Sequence, residues 1–252
     1  MLRISTIILM IAAMLAPALN VQAGVADNAQ PLRKRFYFGN STAAILEMLE
    51  TDPVRRETNV TDSQKKKVAL LKPELVAAME KAARDNPENV SAERDEKRGE
   101  AFTAAAKATQ KKLDEILSPS QLDRLWEIMI QDGAFQPLGC PELYVMLVKV
   151  LKLTDEQTKR LDAISSDAET AKAKAIEAES KNANKPTQPQ TRKEMLALIR
   201  RVHPIYKLAR EKSLKVLTPK QREMFAKMTG KAVDHLTMLE EMVDTEMPKR
   251  EP

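Results

Sequence analysis

Histidine and cysteine, two residue types that commonly perform catalysis, are scarce in this chain of 252 residues. It contains two histidines, His203 and His235, one cysteine, Cys140, and no glycine-rich phosphate-binding loop. Adjacent carboxylates such as Glu240 and Glu241 lie among other charges, as expected on the solvated face of a helix. The sequence therefore predicts a protein that is not an enzyme and that needs no cofactor.

One group of side chains could bind a soft metal ion. His235, Met238 and Met242 have the i, i+3, i+7 spacing that places them on one helix face, and Met228 precedes His235 by seven residues. Imidazole and thioether groups suit Cu(I). Methionines at this spacing also fit a core or an adaptable binding surface. We therefore predict no metal site, with His235, Met238 and Met242 as the candidates if one exists.

A short pattern recurs four times: an aliphatic residue, Ser or Thr, two variable positions and Gln. The copies are "VTDSQ" from Val60, "LSPSQ" from Leu117, "LTDEQ" from Leu153 and "LTPKQ" from Leu217. Each has the form of a capping box, in which a hydroxyl and an amide three residues apart satisfy the first N–H groups of a helix. The predicted helix-capping residues are Thr61, Gln64, Ser118, Gln121, Thr154, Gln157, Thr218 and Gln221.

The four copies are of two alternating kinds, which indicates an internal duplication. The form with Thr-Asp recurs after 93 residues and the form with Ser/Thr-Pro after 100, so the second half carries an insert of seven. The polar segment 182–190, "NANKPTQPQ", accommodates this insert. We predict one helical repeat over 41–139, a second over 140–245 and a tail over 246–252.

The composition predicts an all-α fold. Glycine occurs only six times, and Ala, Lys, Glu, Leu and Met dominate. Each half is predicted to form an antiparallel helical hairpin, with turns near 85–90 and 182–190, which suits an elongated or cradle-like molecule. Pro73 and Pro204 are expected to kink their helices. The predicted core stripes comprise Val68, Leu71, Leu75, Phe102, Ala106, Thr109, Leu113 and Ile116 in the first half, and Leu161, Ile164, Ala168, Ala171, Ala175 and Ala178 in the second.

The chain begins with the features of a secretory signal peptide. Arg3 precedes an apolar run that ends near Leu19, and Val21-Gln22-Ala23 provides a cleavage site. We predict removal of residues 1–23 and a periplasmic or secreted product without stable membrane insertion. A lone Cys140 forms no internal disulfide. The net charge of +5 comes from interleaved charges, which disfavours nucleic-acid binding.

Residues 24–40 form a separate N-terminal segment. Within it, Arg33, Lys34 and Arg35 adjoin Phe36, Tyr37 and Phe38. These aromatic side chains could pack against the helices while the bases stay solvated. Alternatively, the cluster could bind a membrane surface, an RNA or a hydrophobic groove.

The four motifs resemble those of the LTxxQ family, the Spy/CpxP-type periplasmic proteins. "LTDEQ" and "LTPKQ" match the family motif, "VTDSQ" and "LSPSQ" match it with conservative changes, and the resemblance spans about 60–245. It implies a helical cradle that binds unfolded or envelope proteins without ATP, or an envelope-stress adaptor. Family members typically carry one motif pair and dimerise, whereas this chain carries two pairs. It is therefore expected to be a monomer with a pseudo-twofold repeat or a homodimer. The alternatives are a scaffold for one specific partner and a copper-binding protein.

Overall fold

The computed structural model describes residues 41–87, 92–133, 141–183 and 191–246. Within these ranges the protein is all-α, as predicted, with ten helices and no strand. The described residues divide into two compact units, one ending at Trp126 and the other beginning at Glu127. The division thus falls at 126/127, whereas the predicted repeat boundary at 139/140 lies outside the described residues. So do the signal peptide, the segment 24–40, Cys140 and most of the predicted tail.

The first unit contains α1 (Ser41–Glu50), α2 (Asp52–Thr58), α3 (Asp62–Asp85), α4 (Ala92–Ile116) and the start of α5 (Pro119–Gly133). Helices α3 and α4 pack against each other as a hairpin, and α1 contacts both of them. Helix α3 continues through Pro73, whose ring is exposed. Of the predicted stripe, Phe102 and Ile116 are half-buried, and the other six residues are buried: Val68, Leu71, Leu75, Ala106, Thr109 and Leu113.

The second unit contains the end of α5 and five further helices: α6 (Pro141–Val150), α7 (Asp155–Ala183), α8 (Arg192–Val216), α9 (Pro219–Thr229) and α10 (His235–Glu246). Helices α7 and α8 pair as the second hairpin, and α10 packs on α8. Met195, Ile199 and Val243 form the core of that contact. Gln131 of α5 donates to the Lys231 carbonyl at 2.8 Å and accepts from the Val233 N–H at 2.9 Å. It thereby holds the connection between α9 and α10.

The buried face of α7 agrees with the predicted stripe only in part. Leu161 and Ala168 are buried, and Ile164 and Ala175 are half-buried. Ala171 and Ala178 are exposed, whereas Ser165 and Lys172, outside the predicted stripe, are buried. Spacings of three and four residues fit more than one adjoining face of an amphipathic helix, and the contact with α8 selects between them.

Lys172 is buried, and neighbouring groups compensate its charge. Its ammonium pairs with Glu169 and lies 5.6 Å from the centroid of the Tyr206 ring. The Tyr206 hydroxyl donates to Glu169 at 2.7 Å. Burying a lysine is tolerated when it is paired and hydrogen-bonded, and this cluster supplies both conditions.

Candidate functional site

All four copies of the recurring motif cap a helix in the same way. The backbone nitrogen of each glutamine donates to the hydroxyl oxygen of the Ser or Thr three residues earlier, at 3.2–3.3 Å. The glutamine Oε1 accepts from the N–H of that same Ser or Thr at 2.8–3.1 Å. The motifs therefore start α3, α5, α7 and α9 with two of the first N–H groups satisfied.

In the first unit the two motif glutamines also bind each other. Gln64 Nε2 donates to Gln121 Oε1 at 2.8 Å, and Gln121 Nε2 donates to Gln64 Oε1 at 3.0 Å. The second hydrogen of each amide goes to a backbone carbonyl, Ile116 O at 2.9 Å and Asn59 O at 2.6 Å respectively. This reciprocal glutamine pair joins the start of α3 to the start of α5.

The second unit repeats the reciprocal pairing with the equivalent glutamines. Gln157 Nε2 donates to Gln221 Oε1 at 2.8 Å, and Gln221 Nε2 donates back at 3.1 Å. The remaining hydrogens reach Val216 O at 3.0 Å and Leu151 O at 3.1 Å. Ile116 and Val216 are the last residues of α4 and α8, where backbone carbonyls lack partners within the helix. Each pair therefore also caps the end of the returning helix of its hairpin.

A left-handed residue precedes the first motif of each unit. Asn59 has φ 52° and Lys152 has φ 50°, and these two positions are 93 residues apart, the same interval as between the motifs that follow. Around them, Val60 N donates to Arg55 O at 3.0 Å and Leu153 N donates to Val148 O at 2.9 Å. Both are six-to-one bonds of the kind that ends a helix at a left-handed residue. The turn presents the carbonyls that Gln121 and Gln221 bind.

Sequence reasoning identified the caps but missed the pairing. A capping box accepts either Glu or Gln at its third helical position, because only the side-chain oxygen is used. The capping box at the start of α8 uses Thr191 and Glu194, whose carboxylate has no amide hydrogen to donate. All four motif copies carry Gln instead, and only an amide can also donate two hydrogen bonds. The presence of Gln, and never Glu, in all four motif copies is the signal from which the pairing could have been inferred.

The residues proposed for soft-metal binding lie on α10. Met238 and Met242 are 7% and 2% exposed and are part of the packed interior, whereas His235 is half-buried. Met228, on α9, is also half-buried. Among the described residues, no group of three or more His, Cys, Asp or Glu could hold a metal ion.

Glu47 and Tyr144 are among the buried ionisable groups whose pKa is shifted. Burial raises the pKa of Glu47, against the opposing effect of the Lys72 ammonium 3.5 Å away. Lys72 also lies 3.0 Å from Glu50. Burial and a 2.7 Å hydrogen bond to Asp162 raise the pKa of Tyr144. Each group is bound within its own unit to the neighbouring helices, as expected for side chains that position those helices.

No helix within the described ranges has the length and apolar character needed to cross a membrane. Comparison of the chain with protein-family models, with curated proteins and with solved structures finds no match.

Proposed function

We propose that this chain is an exported, non-catalytic protein-binding module, an ATP-independent chaperone or envelope-stress adaptor of the LTxxQ type. The observation that carries this proposal is the reciprocal glutamine pair present in both units. Because these glutamines hydrogen-bond to each other, the motif connects helix ends. We therefore place client binding on the surfaces of the long helices, where a chaperone without a nucleotide cycle can engage its clients.

The surface of α8 supports a preference for unfolded protein. Leu208 is 53% exposed, and the charged side chains beside it, Lys207, Glu211 and Lys212, are exposed as well. An exposed aliphatic side chain among charges of both signs can contact apolar residues of varied clients. The burial of Met238 and Met242 argues against the copper-binding alternative, because both thioethers would have to leave the core to reach an ion.

The test is light scattering of several unrelated, denaturing proteins with the mature chain added at equimolar ratio and no nucleotide. We expect suppressed aggregation of most of them. Leu208→Glu should weaken this protection, whereas Ala108→Glu, at the equivalent exposed position of α4, should leave it unchanged. Unchanged aggregation of every client would refute the chaperone proposal. A single stoichiometric partner would then be sought for the rival scaffold function.

A further inference from the structure

The outer face of α3 is apolar at its centre, although it points away from the core. Helices on a protein surface usually keep charged and polar residues on that side. Here Leu70 is 63% and Val76 47% exposed. Ala69, Pro73 and Ala77 lie on the same face and are exposed too.

This face is symmetric about Pro73. Leu70 and Val76 lie three residues to either side of it, and Ala69 and Ala77 lie four residues to either side. At 100° per residue, steps of three, four, seven and eleven all return to the same side of a helix. The apolar residues at the centre of this face are therefore arranged almost symmetrically about Pro73.

Two pairs of charges that flank this centre have opposite signs at mirrored positions, whereas Lys65 and Lys81, eight residues to either side and at the edge of the face, have the same sign. Lys66 and Glu80 lie seven residues before and after Pro73, and Asp62 and Arg84 lie eleven residues before and after it. All four are exposed. If two such helices were antiparallel and related by a twofold axis at Pro73, Lys66 would face Glu80 of the other helix and Asp62 would face Arg84.

We propose that a second copy of this chain binds along the outer face of α3, antiparallel, with the twofold axis at Pro73. A twofold interface must be self-complementary, because each residue meets the mirrored residue of the other copy. The outer face of α3 meets that requirement in its apolar residues and in the two charge pairs nearest its centre line, and the small side chains of Ala69 and Ala77 permit close approach. One helix face per partner is much smaller than the roughly 20–30 residues a side of a standard interface. The dimer is therefore weak and depends on concentration.

The equivalent face of α7, 93 residues later, lacks this complementarity. Leu70, Pro73 and Val76 correspond there to Ala163, Ser166 and Glu169. The outermost charged positions become Asp155 and Glu177, which would repel each other in the same arrangement. The pattern is therefore not a by-product of the repeated hairpin fold, and it predicts that only α3 mediates self-association.

The first experiment is sedimentation equilibrium of the mature chain across the micromolar range. Lys66→Glu and Glu80→Lys each turn two attractive contacts of the dimer into two repulsive ones, so each should weaken self-association by about tenfold or more. An equimolar mixture of the two variants should associate with each other, and the double variant should regain self-association. Lys159→Glu, at the equivalent position of α7, is the matched control and should have no effect. Circular dichroism checks that every variant is folded.

The second experiment tests the position of the axis without changing any charge. With Cys140 replaced by Ser, Pro73→Cys places one thiol of each copy at the axis and should give a disulfide-linked dimer on mild oxidation. Ser166→Cys, at the equivalent position of α7, should not. A chain that stays monomeric at all concentrations, as it would if its own segment 24–40 covered this face, would overturn the proposal. Dimerisation that is indifferent to the charge variants would overturn it equally.

Discussion

Removing the reciprocal glutamine pair of the first unit should destabilise that unit far more than removing one cap. Gln121 makes four hydrogen bonds: to Asn59 O, to Gln64 Oε1, from Gln64 Nε2 and from Ser118 N. Gln121→Met keeps a similar volume and loses all four. Each neutral bond contributes about 1 kcal/mol net, and water can reach part of the half-buried partner. We therefore expect a loss of about 2–3 kcal/mol in the free energy of unfolding.

The pairing itself is measured by a double-mutant cycle with Gln64→Met. Because the two reciprocal bonds are lost in either single variant, the double variant should cost less than the sum by about 1–2 kcal/mol. The assay is urea unfolding followed by the fluorescence of Trp126, the only tryptophan, which lies in the same unit. The Gln157→Met and Gln221→Met cycle, in the other unit, should leave this signal unchanged. Strict additivity, or a Gln121→Met cost no larger than that of Ser118→Ala, would refute the pairing.

Four further predictions concern single residues, each measured by chemical or thermal unfolding. Thr154→Ala should cost about 1 kcal/mol through the lost cap, with partner binding unchanged at matched stability; abolished binding without lost stability would show that the motif is itself a binding site. Lys152→Gly should stabilise by about 0.5–1 kcal/mol, because the left-handed backbone there disfavours a residue with a Cβ atom; a loss would show that the lysine side chain matters more than its backbone. Ser213→Ala should stabilise, because the buried Ser213 hydroxyl has no hydrogen-bond partner among the described residues, and a clear loss would contradict this. Glu47→Gln should stabilise near pH 7, and its advantage should vanish on acidification, because a carboxyl whose pKa is raised by burial favours the folded state only once protonated; an advantage that grew toward low pH would reverse the assignment.

The sequence by itself determined the helical class, the two-part repetition and where the principal helices begin. These follow from local physical chemistry: few glycines, an apolar stripe at helical spacing, and hydroxyl and amide groups placed to satisfy the first N–H groups. The second left-handed turn was not apparent in the sequence, because Asn59 is a residue type enriched at such positions whereas Lys152 is not.

Only the tertiary structure decided which groups meet across the hairpins. A glutamine that caps its own helix has two amide hydrogens left over, and nothing local in the sequence says where they go. The packing brings Gln64 to Gln121 and Gln157 to Gln221 across separations of 57 and 64 residues. The same packing decided that Lys172 is buried and Ala171 is exposed. The charge of Lys172 is compensated there by the ion pair with Glu169 and by the ring of Tyr206. Such choices depend on partners distant in the chain, whereas caps and stripes depend only on neighbours.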